Sequence, residues 1–204
     1  MVFRLPESGL QGAGVTLKPL TQEDAAGLWE LGQQEPDPRV FSYMLSTPLD
    51  PQAVPRALEL ARAGSQIPLT VWVSGELAGS TRFMELRPQH RGLEIGGTWY
   101  GSRFRGSGLN LVCKYLMMQL AFGEWGAIRV QIVADRRNLR SRRAIEGLGA
   151  LQEAVLRQHM VLPNGELRDT AVYSLLDREW PKRSAELRRA IALRWPIPLS
   201  APNS

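Results

Sequence analysis

Cysteine is nearly absent from this chain of 204 residues, which contains only Cys113. A single cysteine excludes an intramolecular disulfide and a cysteine-based metal cluster. No apolar run approaches the ~20 residues that a membrane-spanning helix requires. Residues 1–6 also lack the apolar core of a signal peptide. From these absences we expect a cytoplasmic protein without a membrane partner.

The remaining composition is that of an ordinary globular domain. Apolar residues make up 44% of the chain and charged residues 22%, which argues against extensive disorder. The length suits one domain, 1–204, with one sizeable core. The formal net charge of +5 favours an anionic partner. Nucleic acid, an acidic protein surface and a phosphorylated cofactor all meet that condition, and charge does not choose between them.

Hydrophobic periodicity predicts an α+β fold with a mixed, mostly antiparallel sheet and helices on both faces. Residues 1–14 are rich in glycine, and we expect them to form an irregular leading arm. The predicted strands are 15–20, 68–73, 77–86, 93–100, 128–133, 151–162 and 167–176. The predicted helices are 25–34, 51–63, 107–122, 138–148 and 177–194, the last followed by a tail to 204. A central strand–helix–strand unit over 93–133 introduces one parallel step into the sheet.

The segment 99–110 is the centre of this pattern, because it reads as a strand end, a glycine-rich loop and the start of a long apolar helix. Gly106 and Gly108 remove Cβ atoms where the backbone turns into the helix, so a phosphate could approach the bare N–H groups. Arg103 and Arg105 add positive charge at the same place. Glycines in such loops also serve chain reversal alone, so this loop by itself does not specify a function.

Three motifs resemble those of the GNAT superfamily of N-acetyltransferases. The first is the Arg-x-x-Gly-x-Gly pattern of 103–108, between a strand and a helix. The second, 138–150, is similar to the family's Asn-x-x-Ser/Ala…Glu-x-x-Gly-Phe segment, with Ala150 in place of the usual aromatic residue. The third, 173–181, is similar to the tail of the branch that includes the ribosomal-protein alanine acetyltransferases. Their order and spacing make the resemblance specific, and it covers about residues 13–185.

The resemblance implies acetyl-CoA as cosubstrate and no metal. The glycine loop would wrap the diphosphate of coenzyme A with N–H groups, and the strand before it would pair with the pantetheine amides. A backbone N–H near Trp99 would stabilise the oxyanion of the transition state, although core packing is an alternative role for this tryptophan. Helix capping is the alternative for Asn138. The implied cofactor-binding residues are Thr98, Trp99, Tyr100, Arg103, Phe104, Arg105, Gly106, Ser107, Gly108, Leu109, Asn110, Asn138, Ser141 and Arg143.

The resemblance also implies direct attack by an unprotonated amine. An α-amine, with a pKa of ~7.7–8.0, loses its proton more easily than a lysine at ~10.4, and a carboxylate or a water could accept that proton. Glu94 matches the acid of the ribosomal branch, and Glu85 is the second choice; a solvated strand edge is the alternative role for each. Ile145 replaces the tyrosine that protonates the leaving thiolate in much of the family. Ser141 resembles the serine that the ribosomal branch uses instead, and unassisted departure stays open.

The predicted activity is therefore acetyl transfer to a primary amine, with a protein N-terminal α-amine favoured over a small-molecule amine.

Two other functions compete with acetyl transfer. The five arginines within 136–143 could bind nucleic acid, although the chain lacks basic strands with interleaved aromatic residues; they could also meet the cofactor's 3′-phosphate or form a solvated face. A degenerate protein could bind the cofactor as a sensor without turnover. Cys113 is rejected as a nucleophile because it lies in an apolar helix. The sequence does not decide whether the protein forms a homodimer.

Overall fold

An eight-stranded mixed sheet organises the protein. The structure is a computed structural model, and it describes residues 3–197. The strands are β1 (Leu10–Gly12), β2 (Val15–Pro19), β3 (Gln66–Val73), β4 (Glu76–Arg87), β5 (Gly92–Tyr100), β6 (Arg129–Asp135), β7 (Leu151–Val161) and β8 (Leu167–Leu176). They lie in the order β1-β2-β3-β4-β5-β6-β8-β7. Among these described strands only β5 and β6 run parallel; the other neighbouring strands pair antiparallel. The predicted α+β fold class is confirmed.

Helices cover both faces of this sheet, as predicted. They are α1 (Asp24–Gln33), α2 (Ala53–Arg62), α3 (Leu109–Gln119), α4 (Leu139–Gly147) and α5 (Trp180–Arg194). Helices α3, α4 and α5 share one core with the sheet, to which they contribute Met117, Ile145 and Leu187. Helices α1 and α2 pack on the opposite face, where a smaller cluster includes Leu28 and Trp99. Within residues 3–197, no helix has the length and apolar character needed to cross a membrane.

Two details differ from the sequence prediction. The arm predicted for residues 1–14, of which 1 and 2 lie outside the described residues, is not simply irregular, because Leu10–Gly12 form the edge strand β1, which pairs with β2. The glycine at 14, with φ +69°, makes the tight turn between these strands possible. The long helix begins at Leu109 rather than 107, because Gly108 is its N-cap at φ +99°, and it continues as a π-helical turn over Leu120–Glu124. The expected tail from 198 onward lies outside the described residues.

Candidate active site

The strands β5 and β6 separate halfway along their length. Residues 92–94 pair with 129–131, whereas β5 continues to Tyr100 and β6 to Asp135. Beyond Glu94 the facing edges of the two strands therefore do not satisfy each other's backbone N–H and C=O groups. An extended pantetheine arm carries amides that can pair with such an edge as an added strand. The gap thus fits the cofactor arm implied by the sequence.

A β-bulge in β5 lies beside this gap. Ser80 of β4 pairs with Trp99, but Arg82, two residues on, pairs with Gly96, so β5 holds one extra residue there. Gly97 has φ +57°, a backbone conformation that glycine adopts readily. Trp99 is 9% exposed and points toward α1 and α2, where its ring meets Phe41 edge-on at 6.0 Å between centroids. The side chain of Trp99 therefore has the core-packing role that was the alternative, and its backbone role stays a prediction.

The loop before α3 presents unpaired amides at the helix N-terminus. Within residues 3–197, the N–H groups of Gly106, Ser107, Gly108 and Asn110 donate to no acceptor. Gly106 has φ +77°, and a Cβ placed there would meet nothing within 4 Å, so this side of the loop is open. A row of free N–H groups at the positive end of an 11-residue helix is suited to a diphosphate.

Side chains fix the shape of this loop. The Ser107 hydroxyl donates to the carbonyl oxygen of Phe104 at 2.7 Å and accepts from the N–H of Leu109 at 3.3 Å. Asn110 accepts a hydrogen bond from the buried Tyr100 hydroxyl at 3.2 Å. The predicted binding residues around the loop are thus brought together, and several of them also hold the loop in place.

The two loop arginines are paired with carboxylates. Arg103 forms an ion pair with Glu76 and lies over the ring of Phe104, 4.7 Å from its centroid. Arg105 Nη2 lies 2.6 and 2.5 Å from the two carboxylate oxygens of Glu35, whose side chain is 2% exposed. Because their charge is balanced locally, diphosphate binding would depend mainly on the amides and the helix dipole.

Glu94 lies at the point where β5 and β6 separate. It is 6% exposed, and one carboxylate oxygen accepts a hydrogen bond from Gln131 Nε2 at 2.9 Å. Burial raises the pKa of Glu94 above its ordinary value, and the bond from Gln131 opposes this only in part. Such a carboxyl group is closer to the pKa that a general base needs near neutral pH. Glu85, the second choice, is exposed.

The start of α4 shows the capping that was the alternative role for Asn138. Its Oδ1 accepts from the N–H of Ser141 at 3.0 Å. Ser141 is half-buried in the first turn, Arg143 is exposed, and Ile145 is buried in the core. Contact of Asn138, Ser141 and Arg143 with the cofactor stays a prediction.

Most of the arginines within 136–143 have partners. Arg137 lies 2.9 Å from a carboxylate oxygen of Asp135 and 2.7 Å from one of Glu166. Arg136 is 3.7 Å from Asp169, and Arg142 donates to the Tyr173 hydroxyl at 2.9 Å. This pairing leaves less free positive charge for nucleic acid than the sequence alone suggested.

Sequence reasoning missed a buried lysine beneath the bulge. Lys114 of α3 is 4% exposed, and its Nζ donates to the hydroxyls of Thr98 at 2.5 Å and Thr81 at 3.1 Å. Burial lowers the pKa of Lys114 to about 8. The available signal was a lysine in a helix that is otherwise apolar on nearly every side. Burial also raises the pKa of Cys113 to about 11, which supports its exclusion as a nucleophile.

The gap in the sheet and the free amides at α3 suit an enzyme that binds an acyl-CoA thioester and transfers its acyl group. Residues 15–151 match the family model described as an acetyltransferase (GNAT) domain. The chain belongs to the GNAT family and is an acetyl-CoA-dependent N-acetyltransferase, as the sequence motifs predicted.

Known relatives agree with this assignment. A solved acetyltransferase candidate from T. thermophilus is 34% identical, with a TM-score of 0.82 over 93% of this chain and 100% of that chain. YdaF of Bacillus subtilis (strain 168), named as a candidate ribosomal N-acetyltransferase, is 35% identical over 106 residues. That match spans 52% of this chain and 57% of YdaF. RimJ of Mycobacterium smegmatis, solved with CoA-disulfide, shares the fold at 22% identity and a TM-score of 0.75, over 91% of this chain and 93% of that chain.

Proposed function

We propose that the protein acetylates the N-terminal α-amine of another protein. The observation that carries this proposal is the buried carboxyl group of Glu94, held by Gln131 where the two strands separate. A base of this kind suits an amine whose pKa is ~7.7–8.0 better than a lysine at ~10.4. The match to YdaF, with its ribosomal name, supports a protein acceptor.

Each part of the site has a distinct task in this reaction. Acetyl-CoA supplies the acetyl group as an activated thioester. The amides of Gly106, Ser107 and Gly108 bind the diphosphate, and the free edge of β5 orients the pantetheine arm. Glu94 accepts the proton of the attacking amine, directly or through one water molecule. Ser141, in the first turn of α4, is the proposed proton donor to the departing thiolate.

A peptide panel tests the choice of acceptor. One set carries a free α-amine and no lysine; a matched set is blocked at the N-terminus and carries one lysine; spermidine represents small-molecule amines. We expect acetyl transfer only to the free α-amines, measured by mass spectrometry. Faster transfer to the blocked peptides or to spermidine would overturn the acceptor assignment, and failure of coenzyme A to raise the Tm would overturn the site itself.

A further inference from the structure

A cavity between α1, α2 and the sheet contains a cation that the proposed reaction does not use. The cavity has a volume of about 40 Å³. Its walls are mainly apolar, and they include Leu20, Leu28, Val54 and Trp99. Arg82 of β4 lies on the sheet side of the cavity. Asp50 also lines it, but its carboxylate is engaged by Arg56.

The guanidinium group of Arg82 is poorly satisfied. Its Nε is buried and has no hydrogen-bond partner. Its Nη1 makes one long hydrogen bond, 3.4 Å to Gln66 Oε1, and Gln66 is itself held by a bond of 2.9 Å to the carbonyl oxygen of Ala57. No carboxylate in the described part of the chain forms an ion pair with Arg82. Arg82 as a whole is half-buried, and a guanidinium group with a buried, unpartnered Nε is costly, so its presence needs an explanation.

Arg82 lies beside the reacting centre. It pairs across the strands with Gly96, and a Cβ on Gly97 would collide with its Nε. The bulge therefore lacks side chains where the guanidinium packs against it. Alternation along β4 puts Ser80, Arg82 and Met84 on one face, and Met84 is opposite Glu94. Arg82 and the proposed base thus share a face of the sheet, on neighbouring strands.

We propose that Arg82 binds a carboxylate that a substrate places in this cavity. The proposal rests on the proposed acyl transfer at the gap between β5 and β6. A guanidinium presents two parallel N–H donors that match a carboxylate, and the apolar walls suit the methylene groups that would carry it. Because ~10–15 Å³ suffices for one water molecule, the cavity has room for a carboxylate group. A cationic acceptor would be disfavoured here.

Two sources of the carboxylate are distinguished by matched ligand pairs. The donor arm compares stable thioether analogues of succinyl-CoA and butyryl-CoA, which differ in the terminal carboxylate. The acceptor arm uses protein saturated with coenzyme A and compares peptides that begin Ala-Glu and Ala-Gln. Dissociation constants are measured by calorimetry, so neither arm depends on turnover. In one of the two arms we expect the carboxylate ligand to bind at least ~10-fold more tightly than its neutral counterpart. The arm that shows this preference identifies whether the donor or the acceptor carries the carboxylate.

Variants of Arg82 show whether this residue causes the preference for the carboxylate ligand. Arg82→Gln should reduce the carboxylate advantage to less than about 3-fold, whereas Arg62→Gln, at an exposed arginine of α2, should leave it unchanged. Arg82→Met should raise the Tm, because it removes a partly desolvated cation that has no carboxylate partner in the described part of the chain; a structural role would lower the Tm. The assignment is overturned if neither arm shows an advantage, or if Arg82→Gln preserves it. Coenzyme A binding without any carboxylate preference would leave the proposed function standing.

Discussion

Two buried ionisable side chains lie on opposite faces of β5, and burial favours the neutral form of each. Glu94 faces the side covered by α1 and α2, and burial raises the pKa of its carboxyl group. Lys114 reaches Thr98 from the α3 side, and burial lowers the pKa of its amine to about 8. Desolvation thus raises the pKa of an acid and lowers the pKa of a base. Glu94 is the proposed general base, whereas Lys114 has no part in the proposed reaction.

Glu94→Gln should reduce kcat by about 10²–10³-fold, since it removes the proposed general base, and should leave the affinity for coenzyme A unchanged. The active form of Glu94 is the carboxylate, so activity of the native enzyme falls as the pH drops through the raised pKa. The pH profile of kcat/KM should lose this acidic limb in the variant. Glu85→Gln, at an exposed position, is the control and should stay within about 3-fold of the native rate.

Lys114→Met should raise the free energy of unfolding at pH 7 by about 1–4 kcal/mol, because it replaces a buried amine without a carboxylate partner. The native pKa is about 8 and the reference value is 10.5, so the unfolded chain binds more protons between these values. Stability of the native protein then rises with pH across this window. The difference in free energy of unfolding between the variant and the native protein should therefore decrease between pH 8 and 10.5, as measured by urea unfolding. A constant difference across this range would contradict the pKa assignment.

At the scale of elements, the two loop glycines differ in what a side chain would disturb. A Cβ on Gly108 would lie 3.0 Å from the backbone carbonyl oxygen of Arg194, at the end of α5. Substitution there would therefore alter helix packing as well as cofactor binding. Gly106 has open space around it, so a loss of affinity in a Gly106 variant is a more direct measure of the contact between the loop and the ligand.

Gly106→Ala should weaken coenzyme A binding by at least ~10-fold, because a methyl group and a strained φ would disturb the amides that are proposed to bind the diphosphate. The stability cost should be about 1 kcal/mol. Gly165→Ala is the matched control: it has φ +83° and also no neighbour within 4 Å, but it lies in the β7–β8 turn. Both variants should lose similar stability, and only Gly106→Ala should lose affinity in a calorimetric titration. Equal affinity in the two variants would refute the role given to the loop.

Local patterns predicted most elements, because alternation and capping are properties of neighbouring residues. Examples are the glycine loop and the strand predicted at 128–133, which the structure places at Arg129–Asp135. The short strand β1 was missed because its glycines resemble those of an irregular segment. Arg82 was missed for a different reason: it looks like an ordinary polar residue of a strand, and its burial depends on which elements pack over it. Lys114 carried a signal, its apolar helix, but its hydroxyl partners come from strands distant in sequence. The bulge at Gly97 likewise depends on pairing between strands distant in sequence.

At the scale of the whole molecule, the end of α5 connects the N-terminal strands with the glycine loop. Trp195 Nε1 donates to the carbonyl oxygen of Ala13 at 2.8 Å, in the turn between β1 and β2. One residue earlier, Arg194 places its carbonyl group against Gly108. We therefore expect the orientation of the free amides to depend on packing between segments from both ends of the described chain.

Trp195→Ala should lower the free energy of unfolding by about 3–5 kcal/mol, because Trp195 is 7% exposed in the main core and its removal leaves a cavity. Loss of this anchor should free the last turn of α5, so amides 106–111 should exchange hydrogen faster and coenzyme A should bind less tightly. Leu193→Ala, at a side chain that is 87% exposed, should change neither property. Trp195→Phe retains most of the packing and removes the bond to Ala13, so it should cost only about 1 kcal/mol. Hydrogen exchange of the loop amides is measured by mass spectrometry. If it is the same in Trp195→Ala as in the native protein, the terminal helix does not control the loop. The amides are then held by α3 and the Ser107 hydroxyl alone.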